Sequence, residues 1–254
     1  MLCDLDGVVW LARHAIPGAP EAIARLRASG RRLVFVTNNS FSLLADQEAA
    51  LAAIGVPAVG DVATSAQAAA LLVEPGETVL VCGGPGVYEA VSARGATPIA
   101  EGAADAVIVG FHRDFDYERL RIASDAVRHG ARLLATNDDA TYPTPQGVIP
   151  GGGAILAAVA TASAATPTIA GKPYAPMATL VRERCGPEFS SGTAVMVGDR
   201  WSTDGLFAEA LGCPFALVRT GVTPPGAPLA GVAALDLADL AAVAEVILGA
   251  RIVS

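Results

Sequence analysis

The sequence has few cysteines, and they form no recognisable pattern. Cys3, Cys82, Cys185 and Cys213 are scattered over 254 residues, and no two of them have a C-x-x-C spacing. This arrangement argues against a zinc knuckle and against a framework of disulfides. We therefore expect reduced, mostly buried thiols and a cytoplasmic protein.

Basic residues are also scarce, and they are not clustered. The chain has 17 lysines and arginines against 25 aspartates and glutamates, which gives a formal net charge of −8. A protein that binds nucleic acid through the phosphate backbone needs a basic patch, so this class of function is disfavoured. If the ligand is an anion, a local site must attract it.

The sequence lacks a continuous apolar stretch that could span a bilayer. The uncharged region 140–171 is interrupted by four prolines and by three consecutive glycines at 151–153. A membrane-spanning helix needs about 20 mainly apolar residues. The N-terminal residues also lack the basic start and the apolar core of a signal peptide. We expect neither a membrane segment nor a signal peptide.

Short apolar runs alternate with segments rich in alanine and leucine. "GAPEAIARLRASG" has the proline, the apolar spacing and the terminal glycine of a helix, and "RRLVFVTNNS" after it has the pattern of a buried strand and a loop. The alternation recurs in "ADAVIVGF" and in "GTAVMVGD". Strands that alternate with helices predict βαβ units. The predicted fold class is therefore α/β, with a Rossmann-like, doubly wound parallel sheet.

Four of the predicted strands end in polar loops. The polar residues of these loops are Asp4, Asp6, Thr37, Asn38, Lys172, Asp199 and Asp204. Taken singly, each loop is also explained by an ordinary turn or a helix N-cap. In an open parallel sheet, however, the loops at the carboxyl ends of the strands converge on one crevice. Together they predict a phosphate-binding site with a metal.

The residue types in these loops favour magnesium and phosphoryl transfer. Clustered carboxylates repel one another unless a cation lies among them, and oxygen ligands suit Mg²⁺. Asp4 can then attack phosphorus as an ionised nucleophile, while Asp6 protonates the leaving oxygen and later deprotonates water. The hydroxyl of Thr37, backbone N–H groups near Asn38 and the charge of Lys172 can hold phosphoryl oxygens.

The motifs "DLDGV", "VTNNS", "GKP" and "GDRWSTD", in this order, resemble those of the haloacid dehalogenase (HAD) superfamily. The chain is most similar to class IIA, the NagD-like branch that includes p-nitrophenyl phosphatases and phosphoglycolate phosphatases. The resemblance covers essentially the whole chain. It implies a Mg²⁺-dependent phosphomonoester hydrolase that forms an aspartyl-phosphate intermediate. The acid at position 6 argues against haloacid dehalogenases and P-type ATPases, whose corresponding residue is not Asp.

The resemblance also implies a role for each residue of the motifs. The catalytic residues would be Asp4 as nucleophile, Asp6 as acid and base, and Lys172. The phosphoryl group would be held by Thr37, Asn38 and Lys172. The magnesium ligands would be Asp4, the backbone carbonyl of Asp6, Asp199 and, mainly through water, Asp204.

The middle of the chain is too long to be a loop. Roughly 130 residues separate Thr37 from Lys172, whereas structureless loops longer than about 15 residues are uncommon in compact domains. The interval has strand and helix signals of its own, so we expect a second α/β unit. In the resembled branch this unit is an inserted cap domain. The predicted catalytic core is 1–75 and 169–254, and the predicted cap is 76–168.

Two cap residues are candidates for substrate recognition. The segment "TNDDATYPT" resembles the substrate loop of this branch, in which the residues that match Asn137 and Asp139 face the active site. Their side chains could form hydrogen bonds with hydroxyl or amine groups of a leaving group. A turn rich in Asn and Asp is the structural alternative.

Two other functions fit part of the pattern. A phospho-receiver domain also has Asp, Thr and Lys at strand ends, but Asp6, the long insertion and a nucleophile on the first strand disfavour it. A catalytically silent protein that binds a phosphorylated metabolite is the other alternative. The expected partner is a small-molecule phosphate ester. The sequence leaves open which ester it is and whether the protein forms a homodimer.

Overall fold

The computed structural model of the protein describes residues 1–144 and 147–249. Backbone contacts divide the chain into two compact units. The first unit comprises Met1–Thr37, Ala45–Ala63 and the residues from Val181 onward, and the second comprises Asn38–Leu44 and Thr64–Leu180. The predicted core and cap have other boundaries, at 75 and 169. That division by function stays a prediction.

Strands and helices alternate along most of the chain. The strands are β1 Leu2–Cys3, β2 Trp10–Leu11, β3 His14–Ala15, β4 Val34–Thr37, β5 Val62–Thr64, β6 Thr78–Cys82, β7 Thr97–Ile99, β8 Ala106–Val109, β9 Arg132–Ala135, β10 Thr141–Thr144, β11 Gly147–Pro150, β12 Thr168–Ile169, β13 Met196–Gly198, β14 Phe215–Val218 and β15 Leu235–Leu237. The helices are α1 Ala19–Ala28, α2 Leu44–Ala53, α3 Ser65–Ala70, α4 Pro85–Ala93, α5 Tyr117–Arg128, α6 Gly152–Ser163, α7 Ala175–Cys185, α8 Leu206–Leu211 and α9 Leu240–Gly249. A 3₁₀ turn lies at Gly186–Glu188 and a π-helical turn at Trp201–Gly205.

The larger sheet belongs almost entirely to the first unit. Its strand order is β15-β14-β13-β1-β4-β5. Strand β1 pairs in parallel with β4 on one side and with β13 on the other, and β14 and β15 continue the parallel order beyond β13. The sheet therefore extends from β1 toward both of its edges, with later strands on either side of β1. Such a switch point is where an open parallel sheet forms its ligand crevice, at the carboxyl ends of the strands.

The second unit has a parallel sheet of its own. Its strand order is β12-β9-β8-β6-β7, and its strand pairs are parallel. Leu80, Val107 and Leu133 of this sheet pack with Ile155 and Leu156 of α6 in a buried core. Strands β10 and β11 form a separate antiparallel hairpin. The predicted α/β class with parallel sheets is confirmed.

Helix α1 shows how local sequence specifies an element. It spans Ala19–Ala28, with Pro20 in its first turn. Ala22, Ile23 and Leu26 are buried, which is the i, i+1 and i+4 spacing of one apolar helix face. Gly30 follows with φ +81°, a conformation that favours glycine just beyond a helix. The helix predicted from "GAPEAIARLRASG" is confirmed.

Two expectations from composition concern membranes and thiols. Within residues 1–144 and 147–249, every helix is too short or too polar to cross a bilayer. None of the four cysteines, all of which lie in the described part of the chain, forms a disulfide; Cys3, Cys82 and Cys213 are buried and Cys185 is half-buried. Burial raises the pKa of the Cys82 thiol to about 12. This thiol therefore stays protonated at neutral pH and reacts slowly.

Candidate functional site

Two of the predicted site aspartates follow neighbouring strands of the larger sheet. The parallel register pairs Cys3 of β1 with Val197 of β13. The N–H of Asp4 continues this ladder and donates to the carbonyl of Val197 at 2.9 Å. Asp4 therefore lies directly after β1, as Asp199 does after β13. The register places both residues at the carboxyl edge of the sheet, beside the switch point.

A third carboxylate joins them. Asp4, Asp199 and Asp204 each offer an oxygen atom, and these atoms lie within 4.8 Å of one another. Their exposed fractions are only 8%, 3% and 0%. Two negative charges at this separation repel by roughly 3 kcal/mol or more at an effective dielectric constant of about 20. A divalent cation among them would offset this repulsion. A donor set of three carboxylates fits a hard cation such as Mg²⁺.

The carboxylate of Asp199 is held by the loop after β14. The N–H of Val222 donates to Asp199 Oδ2. A Cβ atom on Gly221 would lie 1.9 Å from that oxygen, and one on Gly7 would lie 2.5 Å from it. Only glycine fits at these two positions, because any side chain would displace the carboxylate. Thr220 Oγ1 donates to the Gly7 carbonyl at 2.6 Å, which ties the two glycine segments together.

Asp204 lies within the π-helical turn that follows β13. A Cβ atom on Gly198 would lie 2.2 Å from the Cβ of Asp204, so glycine lets the turn approach the strand. The N–H of Arg200 donates to Asp204 Oδ2 at 3.2 Å. Trp201 in the same turn packs edge-on against Phe215, with ring centroids 5.8 Å apart. Single π-helical turns are rare and occur often at functional sites.

Asp6 is not a member of the carboxylate group found among the described residues. Its carboxylate is half-buried and accepts a hydrogen bond from the indole of Trp10, with Nε1 3.1 Å from Asp6 Oδ1. The predicted metal ligand at position 6 is the backbone carbonyl, so the position of this side chain does not test it. The sequence pattern does not predict this contact between Trp10 and Asp6.

Thr37 ends the strand on the other side of β1. It is the last residue of β4, and its side chain is buried. Strand β4 pairs in parallel with β1, with Phe35 opposite Cys3. Thr37 and Asp4 therefore lie at the carboxyl ends of neighbouring strands. The role of Thr37 in holding the phosphoryl oxygens stays a prediction.

The remaining predicted residues form a hydrogen-bonded group within the second unit. The Lys172 N–H donates to Asn38 Oδ1 at 2.8 Å, and Asn38 Nδ2 donates to Asp139 Oδ2 at 3.0 Å and to the Lys172 carbonyl at 3.1 Å. Asn137 Nδ2 donates to the Asn38 carbonyl at 2.9 Å. Both Asn137 and Lys172 are buried. Residues that lie far apart in the sequence thus fix the conformation of the chain at Asn38.

A second contact joins the same two loops. Tyr174 Oη donates to Asp138 Oδ2 at 2.5 Å. This hydrogen bond raises the pKa of Tyr174 to about 12, with smaller contributions from burial and from the charges of Asp138 and Asp139. The phenol therefore stays protonated at neutral pH and holds the 137–139 loop to the segment after Lys172.

An aromatic cluster that the sequence did not suggest lies in the same unit. Phe111 stacks on Tyr142 with ring centroids 5.3 Å apart, and Phe41 meets Phe111 edge-on at 6.1 Å. A Cβ atom on Gly152 would lie 3.2 Å from the Phe111 nitrogen and 3.4 Å from Asn137 Oδ1. The backbone of Phe111 therefore lies close to the Asn137 side chain.

Known proteins resemble this chain in both sequence and structure. The family model described as haloacid dehalogenase-like hydrolase matches residues 1–97, and a second HAD-hydrolase-like model matches residues 169–240. The crystal structure of a double mutant of the thermostable NPPase from Geobacillus stearothermophilus is 32% identical, with a TM-score of 0.86. The match covers 94% of this chain and 95% of that one. The chain belongs to the haloacid dehalogenase-like hydrolases.

Two further matches come from Mycobacterium tuberculosis. Its D-glycerol 3-phosphate phosphatase is 40% identical over 87% of this chain, and the chain spans only 63% of the length of that relative. A crystal structure of the glycerol phosphate phosphatase of this organism in complex with magnesium is 37% identical, with a TM-score of 0.80. It is matched over 87% of this chain and 67% of its own.

The comparisons confirm two of the predictions, the resemblance to the HAD superfamily in its class IIA, NagD-like branch and the α/β fold. The two relatives from Mycobacterium tuberculosis are named as phosphatases, which agrees with the predicted enzyme class. The roles of individual residues and the division into core and cap stay predictions.

Proposed function

We propose that this protein hydrolyses phosphate monoesters of small metabolites and uses magnesium as its cofactor. The observation that carries the proposal is the group of three buried carboxylates, Asp4, Asp199 and Asp204, whose oxygens lie within 4.8 Å of one another. These side chains and the backbone carbonyl of Asp6 would hold the cation. Magnesium, when bound, offsets the negative charge of the carboxylates and of the phosphate.

In the proposed reaction, Asp4 is the nucleophile and Asp6 is the general acid and base. A carboxylate oxygen of Asp4 attacks phosphorus, and the bond from phosphorus to the leaving oxygen breaks as the new bond forms. Asp6 gives its proton to the leaving oxygen, so the alcohol departs neutral. Water then attacks the phosphorus of the aspartyl phosphate, and Asp6 accepts a proton from that water. The bond from phosphorus to Asp4 breaks, which releases inorganic phosphate.

Thr37, Asn38 and Lys172 would bind the oxygens of the phosphoryl group. Thr37 supplies a hydroxyl at the end of β4. The Asn38 backbone is held by the hydrogen bond that its carbonyl accepts from Asn137, which supports a fixed donor geometry. Lys172 supplies a positive charge from a buried side chain. A preorganised charge of this kind stabilises the transferring phosphoryl group most where water is excluded.

Replacement of Lys172 tests this assignment. Lys172→Met keeps the apolar stem and removes the charge. We expect kcat to fall by about 100- to 1,000-fold, the usual loss for one preorganised electrostatic group. Steady-state phosphate release and a circular dichroism spectrum of the variant would check it. A rise in KM at unchanged kcat would show instead that Lys172 binds the substrate and the transition state equally well.

The leaving group would be a small, hydroxylated metabolite. The support is the 40% identity to a phosphatase that acts on D-glycerol 3-phosphate. In the proposal, residues 76–168 form a cap that recognises this leaving group, and Asn137 and Asp139 contribute polar contacts. The hydrogen bonds of Asn137 and Asp139 to Asn38 support this role, because they link these residues to one that would bind the phosphoryl group.

Truncation of Asn137 or Asp139 to alanine should therefore mainly change substrate preference. We expect the ratio of kcat/KM values between two phosphate esters to change by about 10-fold or more. Glu101→Ala is the control, because Glu101 is an exposed acidic residue of the same unit that lies outside the 137–139 loop. An equal loss on every substrate, for Asn137→Ala or Asp139→Ala, would contradict the assignment.

Phosphate release from a panel of metabolite esters, with Mg²⁺ and with a chelator, tests the proposed function as a whole. A hydrolase releases phosphate over many turnovers. A receiver domain would take up a single phosphoryl group and keep it, and a silent binding protein would release none. The cytoplasmic location and the homodimer remain predictions from the sequence.

A further inference from the structure

The indole of Trp10 is joined to the carboxylate proposed as the acid and base. Trp10 Nε1 lies 3.1 Å from Asp6 Oδ1, within hydrogen-bond distance. Trp10 is only 4% exposed. A buried indole N–H needs an acceptor, and a carboxylate is a stronger acceptor than a neutral group. The reaction steps given above make no use of this contact.

The backbone around Trp10 is held as firmly as its side chain. The Trp10 N–H donates to the Leu5 carbonyl at 3.2 Å, and the Trp10 carbonyl accepts from the Gly7 N–H at 2.8 Å. Asp6 and Trp10 also form an isolated β-bridge. The segment from Leu5 to Trp10 is therefore a closed loop that returns the indole to the carboxylate four residues upstream.

A tight hairpin fixes the far side of this loop. Strand β2 pairs with β3 so that Trp10 lies opposite Ala15. The two residues at the tip, Ala12 and Arg13, have φ values of +48° and +66°. Non-glycine residues seldom adopt this left-handed conformation, and it persists where surrounding contacts impose it. The hairpin thus holds Trp10 in place independently of the hydrogen bond to Asp6.

We propose that Trp10 is a positioning residue that holds the Asp6 carboxyl group in the orientation needed to protonate the leaving oxygen. The carbonyl oxygen of a carboxylic acid is a stronger acceptor for an N–H donor than the hydroxyl oxygen is. The indole therefore assigns the carbonyl role to Oδ1 and the transferable proton to Oδ2. This inference rests on the proposed function, in which Asp6 is the acid.

The effect of losing this orientation on the rate should depend on the leaving group. The terminal torsion of an aspartate side chain has a broad preference, so loss of the indole contact weakens the restraint on the orientation of the carboxyl group. An alkoxide is a poor leaving group and needs the proton at the moment when the bond to phosphorus breaks. The p-nitrophenolate ion is stable without a proton. Loss of the orientation should therefore slow alkyl phosphates far more than p-nitrophenyl phosphate.

Trp10→Phe tests this, because it keeps an aromatic ring and removes the N–H. The readout is kcat/KM, which reports the steps up to the departure of the leaving group. The substrates are glycerol 3-phosphate, or another alkyl phosphate that the wild type hydrolyses faster, and p-nitrophenyl phosphate. We expect a fall of about 10- to 100-fold on the alkyl phosphate, part of the usual effect of general acid catalysis. On p-nitrophenyl phosphate the change should stay within about 3-fold.

A second variant distinguishes the loss of the N–H group from a packing defect. Benzothienylalanine at position 10 keeps the bicyclic shape and replaces only the N–H by sulfur, so it should reproduce the same selective loss. An equal loss on both substrates would show a purely structural role for Trp10 and overturn the inference, as would no loss on either. A wild-type protein that releases no phosphate from any ester would instead overturn the proposed function and this inference with it.

Discussion

Asp4→Asn is expected to lower the rate of phosphate release by on the order of 10⁴- to 10⁶-fold, as the loss of a covalent nucleophile does in other hydrolases. The amide nitrogen and oxygen of Asn are poor nucleophiles toward phosphorus, so no acyl-phosphate intermediate can form. The measurement is phosphate release under saturating substrate and Mg²⁺, together with a search for phosphorylated enzyme after acid quench. The wild type should carry a phosphoryl group on Asp4, and the variant should carry none.

The variant should also fold. Asn is nearly isosteric with Asp, and the backbone N–H of Asp4 that joins β1 to β13 is unchanged. In chelator, removal of one of three neighbouring negative charges relieves repulsion. The midpoint of thermal unfolding should therefore be at or above that of the wild type. Glu101→Gln is a control, because Glu101 is exposed and lies outside helices and strands, so its replacement should change neither property. Appreciable turnover by a folded Asp4→Asn variant would exclude Asp4 as the nucleophile.

The positions of the Asp4 and Asp199 carboxylates could be predicted because they depend on a regular feature of the fold. Asp4 follows a short apolar run at the start of the chain, and Asp199 follows "AVMVG". Once both runs are recognised as parallel strands, their carboxyl ends must lie on the same edge of a sheet. Local sequence thus suffices to bring two residues together that are 195 positions apart in the numbering.

The groups that hold those carboxylates could not be predicted in the same way. The Asp199 carboxylate is held by the backbone of Gly221 and Val222. The distance between this backbone and the carboxylate depends on the path of a loop whose sequence has no periodic pattern. The hydrogen bond from Trp10 to Asp6 depends on a two-residue hairpin tip without the usual glycine or asparagine signal. In both cases the contact depends on the tertiary structure, and neither composition nor residue spacing predicts it.

The group of Asn38, Asn137, Asp139 and Lys172 is an intermediate case. The sequence identified all four residues as candidates, but not the network that they share. In the structure, Asn38 accepts from the Lys172 N–H and donates to Asp139, so one side chain joins two distant loops. Side-chain amides can donate and accept at once, and which partners they choose is fixed only by the folded arrangement. A motif therefore predicts the members of such a network more readily than its connections.

Removal and restoration of the metal should have the second large effect. With a chelator, phosphate release is expected to fall by about 1,000-fold or more, because the charge of the phosphate and of Asp4, Asp199 and Asp204 is no longer offset. Added Mg²⁺ should restore it. A ligand that binds only the folded state at 100 times its dissociation constant raises the free energy of unfolding by about 2.7 kcal/mol. For a chain of this size that corresponds to an increase in the midpoint of thermal unfolding of about 5 °C or more.

The variant Asp199→Asn tests whether the stabilising cation binds among the three carboxylates. The amide oxygen of Asn can still accept from the Val222 N–H, so the loop after β14 keeps its contact, while one negative charge is lost. In chelator the variant should unfold at or above the temperature of the wild type, because like-charge repulsion is reduced. In Mg²⁺ the order should reverse, because the variant binds the cation less tightly and gains less stability from it. Glu101→Gln should follow the wild type in both conditions. Parallel melting curves of wild type and Asp199→Asn, with no dependence on Mg²⁺ in either, would mean that the cation does not bind among these three carboxylates.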